Sequence, residues 1–135
     1  MNDNIFVDSN VWLYLFSEET KKRQKAYELL SKKHFISTQV LAENANVCRN
    51  KFHLEITVVK QHIQNLLSNC DVVVIQPDFL EKALSISEKY HYRFYDSLII
   101  ATALEADCTV LYSEDLHDKQ VVEKKLTIVN PFRGF

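Results

Sequence analysis

The sequence predicts an α/β fold in which a parallel sheet carries helices on both faces. Three observations lead there. Short apolar or β-branched runs alternate with segments of helical period through most of the 135 residues. The composition is that of a globular chain, 47% hydrophobic and 25% charged, and it supports a sizeable core. One Gly and two Pro leave little sequence for linkers or Gly-rich phosphate loops, so residues 1–135 are read as a single domain.

The elements follow in order. Ile5-Phe6-Val7 is a buried first strand, ended by Asp8-Ser9-Asn10. Val11 to Phe16 forms a short buried helix, and Glu18 to Lys33 an amphipathic one with Ala26, Leu29 and Leu30 inward. His34 to Ser37 is a second strand. Thr38 to Arg49 is a helix with Ser37 or Thr38 as its N-cap. Val40 and Val47 mark its apolar stripe, and Glu43 falls on that stripe between them. After a connection at Asn50 to His53, Leu54 to Leu67 repeats a helical period through Ile56, Val59, Ile63, Leu66 and Leu67.

Asp71 to Gln76 contains Val72-Val73-Val74-Ile75, which predicts a fully buried strand. Pro77 opens the next helix, with Phe79, Leu80, Ala83, Leu84 and Ile86 inward. Tyr92 to Ala106 is almost uninterrupted apolar and small residues from Ser97 to Leu104. It predicts a helix buried on most sides, with one carboxylate, Asp96, at its mouth. Thr109 to Tyr112, ended by Ser113-Glu114-Asp115, and Leu126 to Val129, stopped by Asn130-Pro131, complete five strands.

Composition also bounds the function. A net charge of −2 is not the basic balance of a nucleic-acid-binding surface, although a cluster of acidic ligands would mask cations elsewhere. Cys48, Cys70 and Cys108 are widely spaced and odd in number, which predicts burial in a reducing compartment and no disulfide framework. No apolar run approaches the ~18 residues of a membrane span. Met1-Asn2-Asp3-Asn4 lacks the basic flank of a signal peptide. The expected location is cytoplasmic, with no membrane partner.

Ligands of parallel sheets bind outside the carboxyl ends of the strands. Asp8 and Asp115 follow strands there, and Glu43 and Asp96 sit early in helices that can approach it. Each acid alone has an ordinary explanation: a strand end, a helix cap, a turn, or an outward face. Together, four converging carboxylates repel one another and lose hydration, and a hard divalent cation is the usual remedy. No Cys/His cluster at zinc spacing is present, so Mg²⁺ or Mn²⁺ suits the all-oxygen set. Such ions activate water and clamp phosphate for in-line attack.

These residues carry a resemblance. Phe6-Val7-Asp8-Ser9-Asn10-Val11 resembles the opening motif of PIN-domain ribonucleases, and Ser37 to Glu43 their second motif. Tyr95-Asp96-Ser97-Leu98-Ile99-Ile100-Ala101-Thr102-Ala103 is similar to the third and is the most specific. Leu111 to Leu116 resembles the fourth, followed by a family-like ending from Leu126 to Phe132. The resemblance runs in order along the whole chain and is closest to VapC-type toxins of toxin–antitoxin pairs.

It implies a three-layer α/β/α domain with a five-stranded parallel sheet. Asp8, Glu43, Asp96 and Asp115 would hold Mg²⁺ or Mn²⁺ for endonucleolytic hydrolysis of RNA, leaving a 5′-phosphate. It further implies a homodimer and inhibition by a cognate antitoxin inserted into the active-site groove. Ser9, Asn10 and Ser113 resemble the supporting polar residues. Asp118 is either a further supporting acid or an exposed turn residue. Glu114, beside Asp115, leaves open which of the two faces the metal, and Asp115 is preferred.

For the substrate side, Arg49, Lys51 and Arg93 are candidate RNA contacts, with His53, His91, Tyr92 and Tyr95 nearby. Trp12 reads first as core or dimer packing, and Tyr95 as packing against the helix entrance. The run Lys21 to Lys25 reads as a solvated helix face. Other functions fit less well. A haloacid-dehalogenase-type phosphatase wants an acid where Asn10 stands, and a receiver-like module wants paired acids after the first strand. A housekeeping RNA-processing nuclease and a catalytically silent interaction module share the same fold and stay open.

Overall fold

A computed structural model of the chain describes residues 3–135. Met1 and Asn2, part of the segment read against a signal peptide, lie outside the described residues. The strands are β1 (Ile5–Val7), β2 (His34–Ser37), β3 (Cys70–Val73), β4 (Val110–Tyr112), β5 (Val121–Val122) and β6 (Leu126–Val129). The helices are α1 (Ser9–Leu13), α2 (Thr20–Leu30), α3 (Thr38–Asn50), α4 (Ile56–Asn69), α5 (Pro77–Tyr90) and α6 (Phe94–Glu105). A 3₁₀ turn at Tyr14–Phe16 continues α1.

The sheet order is β3-β2-β1-β4-β6-β5. The first five strands are mutually parallel, as expected. The sequence missed β5, two residues that pair antiparallel with β6 at the edge. A two-residue strand has no periodicity to read.

Phe6 and Val7 are neighbours in β1 and point to opposite faces, yet neither is exposed. Helices therefore cover the sheet on both sides. Phe6 stands in register with Leu111 of β4, and Leu111 with Ile128 of β6. These three, with Ile36, Val11 and Trp12, are the centre of the core. Trp12 is fully buried. The long apolar run is α6, buried continuously from Ser97 to Ala103. It packs against α5 through Phe79, Ala83, Leu98 and Ala101. All three cysteines are free and buried.

Several expectations need correction. Strand β3 is an edge strand and not fully buried: Val72 and Val73 are half-buried, and Val74, beyond its end, is 58% exposed. A β-branched run marks a strand but not its place in the sheet. Leu80 and Leu84 of α5 point to solvent, and only Phe79, Ala83 and Ile86 face inward. Ile56 and Leu67 of α4 are likewise exposed, and His62 takes an inward place. The buried line of α3 is Val40, Asn44 and Cys48, which leaves Val47 and Glu43 half-buried on its flank. Among the described residues no helix is long and apolar enough to cross a membrane.

Candidate active site

The chain leaves β1, builds β2 and β3 on one side, and returns to place β4 on the other side of β1. The ends of β1 and β4 therefore flank a reversal of strand order, where parallel sheets open a crevice. Asp8 N–H donates to the Tyr112 carbonyl at 2.9 Å, and Ser113 N–H to the Val129 carbonyl at 3.0 Å, so both strand ends are tied down. Helix α3 brings Glu43 to this edge and α6 brings Asp96. Asp8, Glu43, Asp96 and Asp115 line one pocket of about 290 Å³, together with Ser9 and Asn10.

Short polar side chains hold the acids. Asp8 is the N-cap of α1 and only 5% exposed. Its Oδ1 accepts from Ser9 N–H at 2.7 Å and its Oδ2 from Ser113 Oγ at 2.8 Å. Ser9 Oγ donates to Glu43 Oε1 at 2.5 Å, and Asn10 Nδ2 donates to Asp115 Oδ2 at 2.9 Å. Asp96 stands in the first turn of α6, where the helix dipole favours a negative charge. It is not the cap: Arg93 holds that position and makes no side-chain capping bond.

The electrostatics are strained. Burial pushes the Asp8 carboxyl up to about 7 against the lowering effect of its Ser113 and Ser9 bonds, and Glu43 and Asp96 push it further in the same direction. Asp96 is also raised, by burial first and then by Asp115 and Glu43, while Arg93 opposes the shift. Two buried carboxyls held up in this way, Asp8 and Asp96, beside two further acids form a donor set that suits a cation. All candidate ligands are oxygens, which suits a hard ion such as Mg²⁺ or Mn²⁺. Among the described residues no three His, Cys, Asp or Glu side chains stand at ligating distance of a common point. The four acids nevertheless line one pocket.

Glu114 and Asp115 part company. Asp115 lines the pocket. Glu114 turns away, accepts from Tyr14 O–H and lies 3.0 Å from Lys22 Nζ. Lys22 also donates to Tyr14 Oη at 3.2 Å and sits 4.6 Å from the centre of that ring. Glu114 N–H donates to Asn10 Oδ1 at 3.3 Å, so this cluster anchors the loop that carries Asp115. In a double-mutant cycle of Lys22→Met and Glu114→Gln, urea denaturation should show a coupling energy of about 1 kcal/mol, as for an ion pair with both members largely shielded. Additive effects would mean the pair is decorative.

Other candidates lie elsewhere. Asp118 is not on the pocket wall. Its Oδ1 accepts from Asn130 N–H at 2.7 Å and its Oδ2 is 3.2 Å from Arg133 Nη1, so it fastens the C-terminal segment. Arg49 Nη1 donates to the Leu54 carbonyl at 2.9 Å, across the connection from α3 to α4. Lys51 lines an adjoining cavity with Phe52, and Arg93 lines another with Tyr95, Asp96 and Asp115. Tyr95 does not pack into the helix entrance as expected: it is 65% exposed, because Phe94 takes the inward position beside it.

Sequence reasoning missed a buried polar chain behind the site. Asn44 Nδ2 donates to the Ser9 carbonyl at 3.3 Å, and its Oδ1 lies 2.9 Å from His62 Nε2. Burial holds the His62 imidazole down at about 4, so it is neutral and donates to Asn44. The signal was present: Asn44 falls four residues from both Val40 and Cys48, a polar residue on a core stripe. Asn44→Ala should destabilise the protein by about 2–3 kcal/mol in urea, because it strands two buried partners. A loss under 0.5 kcal/mol would show that the chain carries no such weight.

A family model described as PIN domain matches residues 5–124. No curated protein matches significantly. A toxin–antitoxin complex from Klebsiella pneumoniae has a TM-score of 0.71 at 23% identity, over 96% of this chain and 98% of that one. VapC20 of Mycobacterium tuberculosis, a toxin that cleaves the sarcin–ricin loop, has a TM-score of 0.68 at 19% identity, over 83% and 90%. VapBC2 of Rickettsia felis, bound to a DNA fragment from its promoter, has a TM-score of 0.66 at 16% identity, over 93% and 98%. At such identities the likeness is one of fold. The family match spans most of the sequence and includes all four acids with the strands and helices that carry them, and on it the chain belongs to the PIN domain family.

Proposed function

We propose that this protein is a divalent-metal-dependent endoribonuclease, the toxin of a toxin–antitoxin pair. The observation that carries the reading is the gathering of Asp8, Glu43, Asp96 and Asp115 on one pocket wall at the strand-order reversal of a PIN domain. The toxin part of the reading draws on the fold shared with the Klebsiella complex and with VapC20. A cognate antitoxin and a homodimer belong to the same reading, as does a cytoplasmic location.

Asp8, Glu43, Asp96 and Asp115 would hold the ion or ions. Bound there, Mg²⁺ or Mn²⁺ would supply a water nucleophile at neutral pH and charge stabilisation for the phosphate. The chain's own contribution is orientation. Ser113 and the Ser9 N–H fix both oxygens of Asp8, Ser9 Oγ fixes Glu43, and Asn10 fixes Asp115. Such supporting bonds are commonly worth 10–100-fold in metal affinity or activity.

Purified protein should cut single-stranded RNA internally with Mn²⁺, leaving 5′-phosphate ends, and should stop when EDTA is added. Cutting that continues in excess EDTA would overturn the metal-dependent reading. Expression should arrest growth, and co-expression of the small protein encoded beside it should relieve the arrest.

A further inference from the structure

The acid pocket is the middle of three adjoining cavities. On one side it shares Asn10 and Leu13 with a cavity that reaches Lys51 and Phe52. On the other it shares Asp96 and Asp115 with a cavity that reaches Arg93 and Tyr95. Each end thus carries one cation, with Phe52 the exposed ring at one end and Tyr95 the exposed ring at the other. Both rings are accessible, Phe52 at 38% and Tyr95 at 65%.

Both rings are also held. Tyr95 meets Phe94 edge-on, with ring centroids 5.3 Å apart, and its carbonyl accepts from Gln39 Nε2 at 3.0 Å. Phe52 lies 6.4 Å from the Phe16 ring, and its N–H donates to the Val47 carbonyl at 3.0 Å. Gln39 also reaches Glu43 Oε2 at 3.4 Å, so the Tyr95 backbone is tied to the acid pocket itself. Each ring thus packs on a neighbour at one side and keeps part of its surface open beside the acidic crevice. Rings on fixed mounts beside cations are what a single strand of nucleic acid uses, with phosphates on the cations and unstacked bases on the rings.

We propose that Phe52 and Tyr95 are two base-stacking platforms that bracket the acid pocket, and that single-stranded RNA crosses it from Lys51 to Arg93. This rests on the endoribonuclease reading and adds the path of the substrate to it. A duplex cannot use the platforms, because its bases stay paired and stacked.

The test is fluorescence anisotropy of a labelled single-stranded RNA with the Asp96→Asn protein, alongside Mn²⁺-dependent cutting of the same RNA by protein with Asp96 intact. Tyr95→Ala and Phe52→Ala, each added to Asp96→Asn, should weaken binding roughly 5- to 150-fold, the worth of one stacked base. Tyr95→Phe and Phe52→Tyr should retain it, and binding to a duplex of the same sequence should respond to none of the four. Circular dichroism would confirm that each variant is folded.

If protein with Asp96 intact cuts RNA and neither alanine variant alters binding, the platforms are overturned and the nuclease reading stands. Weakening by Lys51→Ala and Arg93→Ala alone would show a purely electrostatic track and also overturn the platforms. If the unsubstituted protein neither cuts nor binds any RNA, the nuclease reading fails and takes the platforms with it.

Discussion

Asp96→Asn is expected to lower Mn²⁺-dependent RNA cleavage by on the order of 10³-fold, since a metal contributes several kcal/mol to a phosphoryl transition state. The same change should leave the fold intact. Asp96 is not the N-cap of α6, so no capping bond is lost. Its carboxyl is already raised by burial, Asp115 and Glu43, so removing the charge relieves an unfavourable term. Against this stands the lost attraction to the helix dipole, about 0.3–1 kcal/mol. The two roughly offset, and the midpoint in urea should move little. Full activity in a folded Asp96→Asn protein would remove Asp96 from the proposed metal site.

Asp8→Asn should show activity and stability moving in opposite directions. Cleavage should fall as far as in Asp96→Asn. Without divalent ions, the variant should be more stable than the wild type above pH 7, by on the order of 4 kcal/mol, because burying an ionised carboxylate costs that much when its value moves from 3.8 to about 7. The sign follows from proton uptake. Between pH 4 and 7 the folded wild type binds a proton that the unfolded chain has released, so its stability falls as pH rises and levels off above 7. The two proteins should therefore converge near pH 4. Mn²⁺ should close the gap from the other side, since a ligand that binds only the folded wild type stabilises it by mass action. Urea denaturation at several pH values, with and without Mn²⁺, measures this. A variant less stable than wild type at pH 8 would show that the Ser113 and Ser9 bonds outweigh the burial of charge.

Much of the architecture was legible because hydrophobic period reports burial directly. Ile5 to Val7, His34 to Ser37 and Leu126 to Val129 are strands with the expected bounds. The run Ser97 to Ala103 is as buried as its composition demands. Legibility failed where an apolar residue's surroundings are made by distant chain. Leu80 and Leu84 match the helical period of α5 as well as Phe79 and Ala83 do, yet they face away from α6. Val72 to Ile75 has the composition of an interior strand, but among the described residues nothing pairs beyond β3 at that edge of the sheet.

The candidate site divides in the same way. Which acids stand at strand ends and first turns follows from local punctuation alone: Asp8 after β1, Asp96 in the first turn of α6, Asp115 after β4. Which way neighbouring acids turn depends instead on long-range contacts. Glu114 and Asp115 are adjacent and chemically alike, and Lys22, 92 residues distant, draws one of them away while Asn10, 105 residues distant, holds the other on the pocket wall. The same holds for the polar chain from Ser9 through Asn44 to His62, and for the two aromatic rings at the ends of the crevice. Local sequence fixes backbone conformation through propensity and period, but the direction of a charged side chain is set by whichever partner the fold delivers.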